Sequence, residues 1–346
     1  MGGRAGRFRA PVALVAIAAV ATGCTTSSPS VLEARGTGAE RVARLWWILF
    51  GLSVVAIAAV TFLLVLAVAR RRGSASPEPR WPLRLVVGGG LVFPILALSS
   101  VWILTLVDMR ALSAPRTPAT VTIDVIGHRW WWEVRYPDLG IVTANEIHIP
   151  VGQPVSIRLS SADVIHSFWV PELAGKIDMI PGRTNQMWVQ ATRPGDYRGQ
   201  CAEYCGAEHA LMIFHVFADP PGAFRSWAER ERRPAVPPVG GLAQEGMRVF
   251  LSEPCQGCHT IQGITTALPA GAAGTPQPPI TAVVGPDLTH FRSRPTLAAG
   301  TLLNTRGIIA GWVVDAPAIK PGTEMPENQM TSGELNDLLA YLETLK

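Results

Sequence analysis

The chain has 346 residues, 48% of them hydrophobic and 16% charged, with a formal net charge of +4. That length allows two or three domains, and the apolar excess points to membrane segments joined to soluble parts. The arginines gather in the N-terminal segment, one short loop and a connector, a balance that argues against nucleic-acid binding.

The N-terminus reads as a targeting segment. Arg4, Arg7 and Arg9 precede the apolar stretch Pro11 to Ala21, and "ATGC" then sets small residues before Cys24. This resembles a bacterial lipoprotein signal in which residues 1–23 are removed and Cys24 carries a lipid. An ordinary signal peptide is the alternative, because Ala21 stands where leucine is usual. Either reading starts the mature chain outside the cytoplasm. Residues 24–112 then hold two uncharged runs, Leu45 to Ala69 (25 residues) and Leu85 to Val107 (23 residues). Each is long enough to cross about 30 Å of hydrocarbon as a helix. Arg70, Arg71, Arg72, Arg80 and Arg84, opposed only by Glu78, predict a cytoplasmic loop between them, so the hairpin has both ends outside. Pro94 is expected to kink the second helix, and Gly88, Gly89 and Gly90 to permit close helix packing.

Residues 113–218 predict an all-β domain. "TVTIDVIG", "NEIHIPVGQPVSIRLSS", "NQMWVQ" and "MIFHVFAD" alternate apolar and polar positions between Pro/Gly turns, the pattern of a sandwich or barrel. Residues 219–240 are Pro-rich and charged and read as a linker. Residues 241–346 predict an all-α domain. The short amphipathic "AQEGMRVFLSE" opens it, and "TSGELNDLLAYLETLK" closes it. Thr331 or Ser332 is the N-cap there, and Leu335, Leu338, Leu339 and Leu342 share one face.

Two clusters carry chemistry. Cys255, Cys258 and His259 form C-x-x-C-H, the attachment motif of a c-type haem, whose vinyl groups take the thiols and whose iron takes the imidazole. A thioredoxin-like pair would need a βαβ setting, and zinc a second Cys/His pair; neither is present in the sequence. Met325, in the turn-rich "IKPGTEMPEN", is the candidate second axial ligand, with Met330 and Met247 as rivals. The second cluster is "CAEYCGAEHALM". Cys201, Cys205, His209 and Met212 admit a disulfide or a zinc site, but thiolate, imidazole and thioether together suit copper. Two cysteines on one loop could bridge two coppers, each then needing an imidazole, and His166 in "DVIHSFWVPEL" is available as the second.

These stretches, with "GHRWWWEVRY" and "HSFWVPELAGKIDMIPGRTNQ", resemble subunit II of haem–copper cytochrome c oxidase. "GPDL" (Gly285 to Leu288) and "KPGTEMP" (Lys320 to Pro326) resemble a class I cytochrome c fused behind it. The resemblance implies a multidomain membrane protein: a two-helix transmembrane hairpin, a cupredoxin-like all-β domain and an all-α cytochrome c domain. It implies a dinuclear CuA centre bridged by Cys201 and Cys205, with His166, His209, Met212 and the Glu203 carbonyl as further ligands. The Glu203 side chain is implied at a magnesium or manganese site shared with subunit I. Haem c is implied on Cys255 and Cys258, with His259 and Met325 axial. Trp130 matches the tryptophan through which electrons reach CuA; an ordinary core aromatic is the alternative. Implied partners are oxidase subunits I and III, an external donor (a cytochrome c or an upstream complex) and membrane lipid, at a bacterial plasma membrane with the redox domains outside. Asp178 and Arg183 match either a subunit I contact or a turn-stabilising ion pair. His128, His148, His215 and His290 lack a ligand set and are expected in strand or surface roles. The E-x-x-W-T motif through which protons enter is not intact near Glu78. A nitric oxide reductase subunit shares every residue named, and a copper-delivery or redox-sensing protein would not need the second redox centre.

Overall fold

The computed structural model describes residues 29–70, 80–115, 117–265 and 284–346. The signal segment, Cys24, Glu78 and most of the arginine loop lie outside the described residues.

Two helical runs are long and apolar enough to cross a membrane. Helix α1 (Thr37–Arg70) begins eight residues before the uncharged run because its first turns pack on the β domain. The Ala39 N–H donates to the Leu173 carbonyl, and Ala39 and Ala43 are buried. The second run is interrupted. Helix α2 (Arg80–Val87) passes into a π-turn at Gly88–Val92, and α3 (Phe93–Ser113) continues with a proline in its first turn. The Pro94 ring crowds the carbonyl four residues back, Gly90, so the expected kink takes the form of a widened turn over the glycines. At the end next to the β domain Asp108 takes Arg41 (2.9 Å) and Arg44 (2.7 Å), tying the hairpin together.

The β domain is two five-stranded sheets packed face to face. The first contains β1 (Val121–His128), β2 (Trp131–Tyr136), β3 (Ile141–Ala144), β5 (Val155–Ser161) and β8 (Asn185–Val189), in the order β3-β2-β1-β5-β8. The second contains β4 (Glu146–Pro150), β6 (His166–Trp169), β7 (Ile177–Met179), β9 (Gly195–Cys201) and β10 (Ile213–Asp219), in the order β4-β10-β9-β6-β7. Strand β5 keeps the alternation of a half-buried strand. Strand β2 does not: all six of its residues are buried, because its outer face is covered as well. Trp132, Val134 and Tyr136 enter the core, while Trp131 packs against Ala144 of β3 and against Ala299 of the helical domain.

Residues 219–240 depart from the linker reading. Helix α4 (Pro221–Glu231) lies on β3, β4 and β10, and Phe224, Trp227 and Ala228 join the sandwich core. Three apolar residues at helical spacing sit inside a charged, Pro-flanked stretch whose average composition hides them. Burying an aromatic of this size contributes about 2–3 kcal/mol.

In the helical domain α5 (Gly241–Ser252) crosses α9 (Ser332–Leu342). Between them lie α6 (Cys255–Cys258), α7 (Arg306–Val314) and α8 (Ala316–Ile319). The α9 N-cap is Thr331, in a full capping box with Glu334.

Candidate metal centres

The 201–212 loop leaves β9 at Cys201 and rejoins the sheet at β10. Backbone bonds pin both ends: the Cys201 N–H donates to the Met212 carbonyl (3.0 Å), and the Ala202 N–H to Ser167 (3.0 Å). His166 opens β6, the strand paired with β9, which brings it beside the loop across 35 residues of sequence. Gly127 leaves the room: a Cβ there would stand 2.8 Å from the His166 ring.

The donors converge. Cys201 Sγ is 3.8 Å from Cys205 Sγ, 3.9 Å from His166 Nδ1 and 3.2 Å from the Glu203 carbonyl oxygen. Cys205 Sγ is 3.7 Å from His209 Nδ1 and 3.8 Å from Met212 Sδ. A sulfur separation of 3.8 Å is far beyond a disulfide's roughly 2.05 Å, so the two thiols are free. Cys201, Cys205, His166 and Met212 are buried. Hydrogen bonding from Cys205 holds the Cys201 thiol down at about 3, and the same bond pushes Cys205 up, so one proton serves two sulfurs. A cation replaces such a proton readily, because ligand thiols bind as thiolates.

His166 is oriented from behind. Its Nε2 lies 2.8 Å from Asp163 Oδ1 and donates to it, which leaves Nδ1 facing Cys201. Burial works against a charge on this ring, but the bonds to Asp163 and Cys201 outweigh it and raise its pKa. Trp132 lies on the core side of β2 and Trp131 on the other, as strand alternation requires, while Trp130, in the two-residue turn before β2, is half-buried against the sandwich core. The Trp130 indole N–H donates to the Cys205 carbonyl (3.1 Å), and its ring flanks the loop at Gly206.

The second site is a cleft in the helical domain. Cys255, Cys258, His259 and Met325 line it, with Phe250, Leu288, Trp312 and Leu338 among its apolar walls. The His259 Nδ1–H donates to the Pro286 carbonyl (2.8 Å), leaving Nε2 as the free nitrogen of the ring. Burial pushes His259 below the usual histidine range, toward the neutral form an iron ligand needs. Met330 and Met247 pack into the hydrophobic core instead. An apolar cleft carrying two thiols, a neutral imidazole and a thioether fits a covalently attached c-type haem.

The cleft is walled partly by the sandwich: Arg129, Trp130, Trp131, Asn145 and Glu208 also line it. The two donor sets are therefore neighbours, with Trp130 touching both. The remaining histidines have structural partners: His128 pairs with Glu133, His148 with Asp219, His215 with Asp196, and His290 with the Arg233 carbonyl. Asp178 pairs with Lys176 (3.1 Å) rather than Arg183. Sequence reasoning missed Asp163, whose place three residues before His166 was its only signal. It also missed the Pro286 carbonyl, for which a sequence holds none.

Comparison with known proteins identifies the family of both soluble domains. Residues 140–218 match the family model described as cytochrome C oxidase subunit II, periplasmic domain, and residues 243–346 match that of cytochrome c. Cytochrome c oxidase subunit 2 of Alkalihalophilus pseudofirmus is 38% identical over 228 residues, 66% of this chain and 62% of that relative's length. The Bacillus sp. strain PS3 protein of the same name is 32% identical over 251 residues, 70% of this chain and 67% of the relative. The crystal structure of the periplasmic domain of cytochrome oxidase subunit II from Bradyrhizobium japonicum is 34% identical. It covers 34% of this chain and 96% of that one, with a TM-score of 0.33. With a relative matched over two thirds of its length and both soluble domains matched by family models, the chain belongs to the cytochrome c oxidase subunit 2 family, in a form that carries a C-terminal cytochrome c domain.

Proposed function

We propose that this chain is the electron-input subunit of a respiratory terminal oxidase. Cys201 and Cys205 would bridge the two coppers of a CuA centre, His166 and His209 would each bind one, and Met212 and the Glu203 carbonyl would complete the set. Cys255 and Cys258 would hold haem c, with His259 and Met325 on its iron. When bound, CuA shares one electron over two metals and haem c supplies a second one-electron centre at the potential that Met/His ligation favours. Electrons would pass from an external donor through the helical domain and the sandwich to subunit I, where oxygen is reduced to water and protons are pumped. The chain alone would not reduce oxygen.

The supporting observation is the adjacency of the two donor sets: the cleft lined by His259 and Met325 is also lined by Trp130, which hydrogen-bonds the backbone of Cys205. Trp130 is the residue through which electrons would cross. The Glu203 carboxylate is exposed and 3.8 Å from Lys176; in the assembled complex it would reach a magnesium or manganese ion shared with subunit I. The two apolar helices would span a bacterial plasma membrane beside subunits I and III, with both termini and the redox domains outside and Cys24 lipidated.

Spectroscopy of the purified complex tests this. A mixed-valence copper resonance with a c-type haem band is expected, and Cys201→Ser should remove the first and spare the second. Absence of the copper signal after copper loading would overturn the reading. Copurification with a nitric oxide reductase catalytic subunit, instead of an oxygen-reducing one, would move the chain to that reaction.

A further inference from the structure

The contact between the sandwich and the helical domain contains a buried ion pair. Lys320 Nζ lies 2.9 Å from Glu208 Oε2, and the two residues are 4% and 2% exposed. Lys320 also donates to the Ala298 carbonyl (3.1 Å). Its place in sequence is telling. Lys320 is five residues before Met325, and Glu208 immediately precedes His209, so the pair joins one ligand-bearing loop to the other. We propose that Glu208 and Lys320 are positioning residues: a buried latch that keeps the helical domain docked, its cleft closed against Trp130 and Trp131, during electron transfer. The proposal rests on the electron-transfer reading above and says how the two sites are held for it.

The surrounding contacts are those of a fixed interface. The Ile213 N–H, at the start of β10, donates to the Ala299 carbonyl across the boundary (3.0 Å). Trp131 is buried there with Ala144 and Ala299. Gly322 sits at φ +105°, and a Cβ on it would stand 2.8 Å from the Ala207 Cβ, so only glycine serves both the turn and the approach. Gly300 approaches Ile213 as closely. Arg129 and Glu324 pair at the rim (3.3 Å), half exposed on both sides.

The connector offers little slack. Helix α4 is part of the sandwich, so only residues 232–240 remain between the domains, and these are tied to the helical side. His290 Nε2 donates to the Arg233 carbonyl (2.9 Å), and the Ala235 N–H to Gln262 (2.8 Å). A domain swinging on a tether would meet its partner through exposed charges that salt screens. Here both ions are removed from water. Deleting one leaves the other stranded, whereas neutralising both removes much of that penalty.

The test uses the full chain in its purified complex. Hydrogen exchange of the Ile213 amide reads docking directly and does not depend on electrons reaching either metal, so it fails or succeeds separately from the electron-transfer reading. We expect strong protection in the parent protein and about a hundredfold loss in Lys320→Met, with Glu208→Gln in the Lys320→Met background recovering part of it. Flash-initiated transfer from haem to copper should be insensitive to salt in the parent, while the Debye length falls from about 30 Å to about 3 Å. In Lys320→Met it should become slower and salt-dependent with the haem and copper bands intact. Free exchange of Ile213 in the parent, additive effects of the two substitutions, or salt-dependent transfer in the parent would each overturn the latch.

Discussion

In the sandwich, the donors of the 201–212 loop and His166 stand within 3.9 Å of a neighbouring donor, held there by strand pairing and loop backbone bonds. In the helical domain, His259 and Met325 line a cleft, 66 residues apart in sequence. The supporting cores differ in the same direction. Among the described residues the sandwich cluster has 28 buried hydrophobic members and the helical cluster ten. One candidate site is thus built by its scaffold, while the other domain would rely on the haem proposed for its cleft. A β framework suits a centre that must change little on oxidation, and a small helical shell suits a covalently bound cofactor that supplies part of its own core.

The largest effect should come from removing the haem attachment. Replacing Cys255 and Cys258 with serine is expected to cost the helical domain about 4 kcal/mol or more, the scale of a ligand present at roughly 1,000 times its dissociation constant. Limited proteolysis should then cut within residues 241–346 and spare the sandwich. Conversely, Cys201→Ser should abolish copper binding and leave the sandwich melting temperature within a few degrees of the parent. If the sandwich unfolds with its copper, the contrast is wrong.

The second effect belongs to the sandwich alone. Glu133 is buried on the outer face of β2, bonded to His128 (3.0 Å) and Arg135 (2.5 Å). Burial raises its pKa, but the bonds to His128 and Arg135 win, so its carboxyl stays below the ordinary 4.5. A depressed folded-state pKa contributes stability that is fully present above about pH 4.5 and is lost as pH falls through the folded value. Glu133→Gln should therefore cost about 3 kcal/mol at neutral pH and flatten the acid limb of the sandwich's stability curve, followed by circular dichroism.

Much of this architecture was legible in the sequence, for reasons that differ by element. Length and apolarity mark two helices long enough to span a bilayer, and C-x-x-C-H marks the start of the cytochrome c domain, because each signal is local. The 201–212 loop was legible as a cluster of candidate donors: the spacing marks Cys201, Cys205, His209 and Met212, but only the pairing of β6 with β9 brings His166 beside them. The interface was not legible. Glu208 and Lys320 stand 112 residues apart in sequence with nothing to join them. Nothing local marks a face as covered by another domain, and for the same reason the helix hidden in residues 219–240 passed as a linker.

A third, smaller effect tests how the copper loop's scaffold works. Asp163→Asn keeps the size of the side chain that orients His166 but weakens the bond to Nε2. By the usual effect of outer-shell partners it should lower copper affinity by about 10- to 100-fold. The metal-free sandwich should lose little stability, because asparagine keeps a side-chain oxygen to accept from the backbone N–H groups of Arg129 and Val164 that Asp163 now takes. Competition with a copper chelator, beside a melting curve, reads the two separately; a shift in melting without a change in affinity would make Asp163 a structural residue only.

The smallest effect concerns the helical domain. Thr331 accepts from the Glu334 N–H, and Glu334 reaches back to the Thr331 N–H (2.7 Å), closing the capping box of α9. Leu338 and Leu342 of that helix line the cleft and are buried in its core. Thr331→Ala should cost about 1 kcal/mol, the typical value of an N-cap. In a domain with a small core, that loss should appear as increased fraying of α9, with exchange of its first-turn amides faster and the haem's methionine ligation weakened on mild heating. The same loss of a cap should leave copper binding in the sandwich untouched. If Thr331→Ala disturbs the copper centre as much as the haem, the two domains share one cooperative unit, and the difference between a scaffold-held and a cofactor-held site is smaller than their cores imply.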